Sequence, residues 1–170
     1  PCADDGTCSG CTAAVRGARF PGGRRLPRVV PIATLSDTRT MPFVTLTLHR
    51  DTPPATRRLL LDAVHTALVS VGVPVADRFQ RVIALADDEF VFDPHYPEEP
   101  GSGRAPRDRR FAVVEVLWSV GRSVKVKKQM LARLHQCLAE GGFDGEQLML
   151  VFKEVGWENW SFAGGRTLHA

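Results

Sequence analysis

The chain has no run approaching the roughly 18 uninterrupted apolar residues of a membrane span, so no membrane role is expected. Its first residues also lack the apolar stretch of a secretory signal, and the expected compartment is therefore the cytoplasm. Charge is scarce in a subtler way. Residues 1–41 hold six arginines against three aspartates, which accounts for the whole net charge of +3 and leaves residues 42–170 balanced at sixteen basic and sixteen acidic. A balanced body lacks the basic stripe that phosphate binding requires, and nucleic acid is not an expected partner. Cysteine is sparse, at Cys2, Cys8, Cys11 and Cys137. Cys8 and Cys11 have the spacing of a zinc knuckle or redox pair, but neither a second pair nor a nearby histidine completes a four-ligand set, so no metal is expected. Cys137 falls within a helical pattern and reads as a small core residue.

What is present suits one soluble core of moderate size: 170 residues, 44% hydrophobic and 24% charged. Two regions differ in character. Residues 1–41 mix Gly, Pro, Arg, Ala, Thr and Ser without helical or strand period and read as an irregular arm; residues 42–170 read as the folded domain. In the second region Phe43–Leu48 alternates apolar residues with threonine, as a strand does. Pro53 and Pro54 suit the first turn of a helix, after which Leu60, Leu61, Val64, Leu68 and Val71 recur at helical spacing up to Gly72. Phe79–Leu85 is a second strand. Residues 86–110, broken by Asp93-Pro94 and Gly101-Ser102-Gly103, form a long loop that ends in the basic run Arg104–Arg110. Phe111–Trp118 restarts the pattern as a strand. A helix over Ser123–Glu140 follows, opened by a serine cap and stopped at Gly141-Gly142, and Leu148–Val155 is the last strand.

That restart is an internal repeat. At an offset of 70 residues Val44 meets Val114, Leu61 meets Leu131, His65 meets His135, Leu68 meets Leu138 and Gly72 meets Gly142 without a gap. Two successive β-α-β units predict parallel pairing inside each unit and both helices on one face of a single sheet, an α/β (α+β) fold of the β-α-β-β-α-β type. The other face alternates residues that do not solvate it fully, which predicts burial against further copies of the chain. His65 and His135 sit at equivalent points of two units and read as structural or solvated rather than as a metal pair.

Four stretches resemble a known family: Met41-Pro42-Phe43-Val44 at the first strand, Gly72-Val73-Pro74 through Asp77-Arg78-Phe79-Gln80 after the first helix, Gly121-Arg122-Ser123 with Lys127-Lys128 opening the second helix, and Glu158-Asn159-Trp160-Ser161-Phe162 near the end. Together, in this order and on this repeat, they resemble the tautomerase superfamily in its malonate semialdehyde decarboxylase branch, over residues 42 to about 166. The resemblance implies a homotrimer that works without metal or cofactor on a small carboxylate substrate, a 2-oxo acid enol or an unsaturated acid. It implies catalysis by Pro42 as an amino-terminal secondary amine, with Asp77 orienting or activating water. Arg122 would grip the substrate carboxylate, and Trp160 and Phe162 would wall the pocket. The decarboxylase carries two arginines flanking one residue where this chain reads Val120-Gly121-Arg122, so one carboxylate-binding charge is missing and malonate semialdehyde is a doubtful substrate.

The chemistry of an amino-terminal proline depends on its being terminal. A secondary amine has a basic lone pair near neutrality, tuned by desolvation and nearby charge, whereas an internal proline nitrogen is an amide with none. Three arrangements follow. Met41 is the natural start and its removal frees Pro42; or the arm is retained and catalysis through Pro42 is absent, leaving a trimeric scaffold or carboxylate binder; or Pro1 supplies the amine by folding back.

Overall fold

The structure is a computed structural model, and it describes residues 41–97, 101 and 103–167. The arm expected over residues 1–41, with Pro1 and the Cys8 and Cys11 pair, lies outside the described residues apart from Met41. Four strands and two long helices follow in the order β1 (Phe43–His49), α1 (Pro54–Ser70), β2 (Phe79–Leu85), β3 (Ala112–Ser119), α2 (Val124–Glu140) and β4 (Leu148–Val155). The third strand starts and ends one residue later than its alternation predicts. Ser123 lies just outside α2 as its cap, its hydroxyl accepting from the Val126 N–H at 3.3 Å. Proline serves the other helix: Pro53 and Pro54 open α1 where a missing N–H costs nothing.

The strands form one sheet in the order β2-β1-β3-β4. β1 pairs parallel with β2 and β3 parallel with β4, while β1 and β3 meet antiparallel at the centre with Leu46 opposite Val114. The repeat is preserved in three dimensions, since α1 and α2 each span 17 residues and start 70 apart. Each is followed by a turn at a glycine with positive φ, Gly72 at 99° and Gly142 at 73°, a region that favours a residue without a Cβ.

Both helices pack on one face of the sheet. Val44, Leu46 and Leu48 of β1 and Ala112, Val114, Val116 and Trp118 of β3 meet Leu60, Val64 and Leu68 of α1 and Met130, Leu134 and Leu138 of α2, all buried. Burying each leucine contributes about 1.5–3 kcal/mol. Cys137 packs beside this core, partly buried. On the other face Phe79, Ile83 and Met149 are 46%, 36% and 49% exposed. Polar bridges interrupt that face: Arg81 donates to Thr45 Oγ1 at 3.0 Å and lies over Phe43, and Lys153 pairs with Glu115. Among the described residues no helix is long and apolar enough to cross a membrane.

Candidate active site at one end of the sheet

Strand direction decides which residues gather. β1 begins immediately after Pro42, and parallel β2 begins beside it, with Phe43 opposite Phe79 and Asp77 two residues earlier. Antiparallel β3 ends at the same place, with Phe43 opposite Leu117, and Arg122 follows in the turn to α2. β4 runs parallel to β3, Ser119 opposite Val155, so the segment carrying Trp160 and Phe162 leaves from that end as well. Pro42, Asp77, Arg122, Trp160 and Phe162 therefore come to one end of the sheet from four separate segments. No hydrogen bond or ion pair joins any two of them.

Arg122 is set by its turn. Val120 donates to the Val155 carbonyl at 2.9 Å, which ties the chain to the end of β4, and Gly121 at φ +109° reverses it in a backbone region that strains any L side chain. The half-buried guanidinium then lies over the indole of Trp118, Cζ 5.6 Å from the ring centroid. Among the described residues it makes no hydrogen bond and no ion pair. Burial lowers its pKa below the usual arginine value, opposed by the charge of Glu154, and it stays cationic at neutral pH. A partly desolvated cation that makes no ion pair among the described residues can take up an anion.

Asp77 sits in the turn before β2, its N–H donating to the Pro74 carbonyl at 2.9 Å. Among the described residues its Oδ1 is buried without a hydrogen-bond partner, and burial pushes the carboxyl pKa up, with His65 pulling it down. His65 itself reaches the Val75 carbonyl, Nε2 to O at 3.0 Å, which braces the same turn from α1. Pro42 is buried, and the ring N–H of Trp160 is buried without a partner. Phe162 is half-buried and donates its backbone N–H to the Arg166 carbonyl at 2.9 Å.

The other arginines behave differently. Arg104 pairs with Glu146, Arg107 donates to the Tyr96 carbonyl, Arg109 pairs with Asp87, and Arg110 pairs with Asp108. The basic run thus braces its own loop and, through Arg104, the segment before β4. Two cavities lie away from the five residues. One, of about 410 Å³, is lined by Asp51, Thr52, Pro53, Arg110, Phe143 and Gln147. The other, of about 460 Å³, lies under the aromatic cluster of Phe90, Phe92 and Phe111, beside Arg107 and Met149.

Three residues around Arg122 were not singled out as site residues by sequence reasoning: Trp118, Glu154 and Lys127. Trp118 is fully buried and stacks on Phe152, centroids 4.9 Å apart and planes at 8°. The signal for it was modest. It shares the core-facing parity of Ala112, Val114 and Val116, which marks burial, and only the neighbouring Gly121-Arg122 turn hints at more.

Comparisons with known proteins agree with this architecture. Residues 77–163, just over half of the chain, match a family described as "Tautomerase enzyme". Among solved structures, a malonate semialdehyde decarboxylase studied as wild type, mutant and inactivated enzyme is 28% identical with a TM-score of 0.63, covering 74% of this chain and 93% of that one. The FG41 malonate semialdehyde decarboxylase inhibited by 3-bromopropiolate is also 28% identical, TM-score 0.62, over 74% and 92%. A fused 4-OT symmetric trimer, 24% identical with a TM-score of 0.55 over 74% and 94%, shares the fold. No curated protein sequence matches. The chain belongs to the tautomerase superfamily, in the branch similar to malonate semialdehyde decarboxylase.

Proposed function

We propose that this protein is a homotrimeric, cofactor-independent enzyme acting on a small monocarboxylate, a 2-oxo acid enol or an unsaturated acid, by tautomerisation, hydration or decarboxylation. The observation that carries the reading is Arg122, half-buried on Trp118 with no ion pair among the described residues. It binds the substrate carboxylate, and the N-terminus of α2 beside it adds a favourable dipole. With Val120 in place of a second arginine, the site is matched to one negative charge rather than two.

Pro42 acts once it is the chain terminus. Its secondary amine, buried and therefore biased toward the neutral form, takes the hydroxyl proton of an enol and returns a proton to carbon as the ammonium, so the enzyme ends unchanged. Asp77, whose carboxyl is biased toward protonation by burial, orients water or holds a proton beside the reacting carbon. Trp160 and Phe162 keep the site dry. Trimer formation is supported by the exposed apolar residues Phe79, Ile83 and Met149 on the sheet face opposite the helices, and by the trimeric assembly of a relative of this fold.

A second reading rests on one fact. In the 170-residue chain Pro42 is internal and its nitrogen is an amide, so that form binds small carboxylates at Arg122 without turning them over. Intact mass of the natively produced protein, with phenylenolpyruvate ketonisation on the same sample, separates the two. A terminal Pro42 with turnover supports the enzyme. An intact 170-residue chain without turnover supports the binder, and turnover by the intact chain overturns the assignment to Pro42.

A further inference from the structure

The surroundings of Arg122 form an ordered stack. Trp118 and Phe152 lie face to face, 4.9 Å between centroids, and each carries a cation: the Arg122 guanidinium 5.6 Å from the Trp118 centroid, the Lys127 ammonium 5.9 Å from that of Phe152. One carboxylate is paired with the second cation and exerts its charge on the first. Glu154 is the register partner of Trp118 across β3 and β4, its charge acts on Arg122, and its Oε2 lies 2.7 Å from Lys127 Nζ. The Lys127 and Glu154 side chains are only 24% and 30% exposed, so this pair is not a freely solvated surface bridge.

Glu154 is the carboxylate whose charge bears on Arg122. An internal carboxylate able to swing onto a guanidinium competes with a dissolved one as though present at high local concentration. Bound to Arg122, it would close the carboxylate site. Its engagement by Lys127 is what leaves the guanidinium open, and Arg122, Lys127 and Glu154 together then carry a charge of +1, matched to one carboxylate.

We infer that Lys127 is a positioning residue that holds Glu154 away from Arg122 and so keeps the Arg122 site available to a monocarboxylate ligand. This rests on the reading of Arg122 given above. Lys127 does not touch the ligand. It acts through Glu154, and it lies one turn into α2, the helix whose cap Ser123 directly follows Arg122.

The test uses the full 170-residue chain and binding rather than turnover, with phenylpyruvate as the probe in calorimetric titration. Lys127→Met keeps the aliphatic stem on Phe152 and removes the charge. Its affinity should fall about 5- to 10-fold. Lys127→Arg, which can still hold Glu154, should stay within about 2-fold of wild type. The double variant Lys127→Met with Glu154→Gln should recover wild-type affinity, because the competitor is gone with its restraint. If Lys127→Met binds as wild type does while Arg122→Ala has lost binding, the inference fails and the reading of Arg122 stands. If the double variant is as weak as Lys127→Met, Lys127 contacts the ligand itself and the positioning role is wrong. If Arg122→Ala binds as well as wild type, the carboxylate site is not at Arg122 and both statements fall. Melting temperatures of all variants distinguish lost affinity from lost fold.

Discussion

The 70-residue repeat gives the sheet two related ends, and they differ in the charge they leave unpaired. At the end described above stand Pro42, Asp77 and Arg122; the same offset places Ala112, Gln147 and Thr52 at the other. Gln147 is fully buried and satisfied on both sides, its oxygen accepting from the Asp108 N–H at 3.0 Å and its nitrogen donating to the Pro106 carbonyl at 3.1 Å. His49 likewise places Nε2 2.7 Å from Asp87 and accepts the Asp51 N–H on Nδ1 at 3.2 Å. Among the described residues Asp77 by contrast leaves Oδ1 unpartnered, and Arg122 makes no ion pair. Scaffold geometry is shared, so the fold does not demand the unsatisfied groups. Thr52 Oγ1 at the other end is also buried without a partner, so the contrast rests on charge: the half-buried Arg122 guanidinium makes no ion pair among the described residues, and that marks where an anionic ligand belongs.

The comparison is first sharpened where the two units should behave alike. Leu68 of α1 and Leu138 of α2 are repeat equivalents, 1% and 0% exposed, in one continuous core. Changing either to alanine should cost about 2–5 kcal/mol, the range for a leucine deleted from a packed interior. Urea unfolding should give two nearly equal losses. A loss at one position less than half that at the other would show that the two units do not share a core.

The next effect should divide the ends. Arg122→Ala should lower kcat/KM on a monocarboxylate about 10- to 100-fold, since a hydrogen bond to a charged group contributes about 1.5–3 kcal/mol. Arg122→Lys should recover only part, because an ammonium lacks the planar two-pronged contact. Thr52→Ala, at the equivalent point of the other unit, should leave kcat/KM unchanged. Equal losses at both positions would mean that each end binds substrate.

Much of this fold is legible in the sequence. The period of 2 in Phe43–Leu48 and the helical spacing of Leu60, Val64 and Leu68 are direct consequences of burying one face, so strands and helices were legible to within a residue. Antiparallel contact between β1 and β3 was not stated by the repeat, which speaks only to pairing inside each unit. The chemical environment of the site was less legible still. Sequence motifs place Arg122 beside α2, but whether an arginine is paired depends on register partners such as Trp118 and Glu154 that are far apart in the chain. The basic run at 104–110 carried more charge in the sequence than Arg122 does, and its arginines are engaged within the fold.

A satisfied polar residue should also be costlier to lose than an unsatisfied one. Gln147→Leu strands the Asp108 N–H and the Pro106 carbonyl, and leaving such groups without partners costs about 1–3 kcal/mol. Thermal unfolding should register that loss with no change in substrate binding. A neutral or stabilising outcome would mean that water replaces both contacts, and the contrast with Asp77 would no longer hold.

The smallest effect has the opposite sign and so tests the contrast most directly. Burial raises the Asp77 pKa in the folded protein, with the charge of His65 opposing, so the folded state holds the carboxyl proton more tightly than the unfolded chain does. Stability from this group is therefore greatest below the unfolded carboxyl value, and it is lost as pH rises through the folded one. At neutral pH the wild-type protein carries that loss, which Asp77→Asn removes. The variant should melt slightly higher at about pH 7, and the gain should vanish toward about pH 2, where the carboxyl is protonated in the folded and the unfolded chain alike. Turnover should fall in the same variant, because an amide neither accepts nor releases the proton. A variant that melts lower at neutral pH would show that the carboxylate is a satisfied member of the turn before β2, equivalent to Gln147 in role as well as in position.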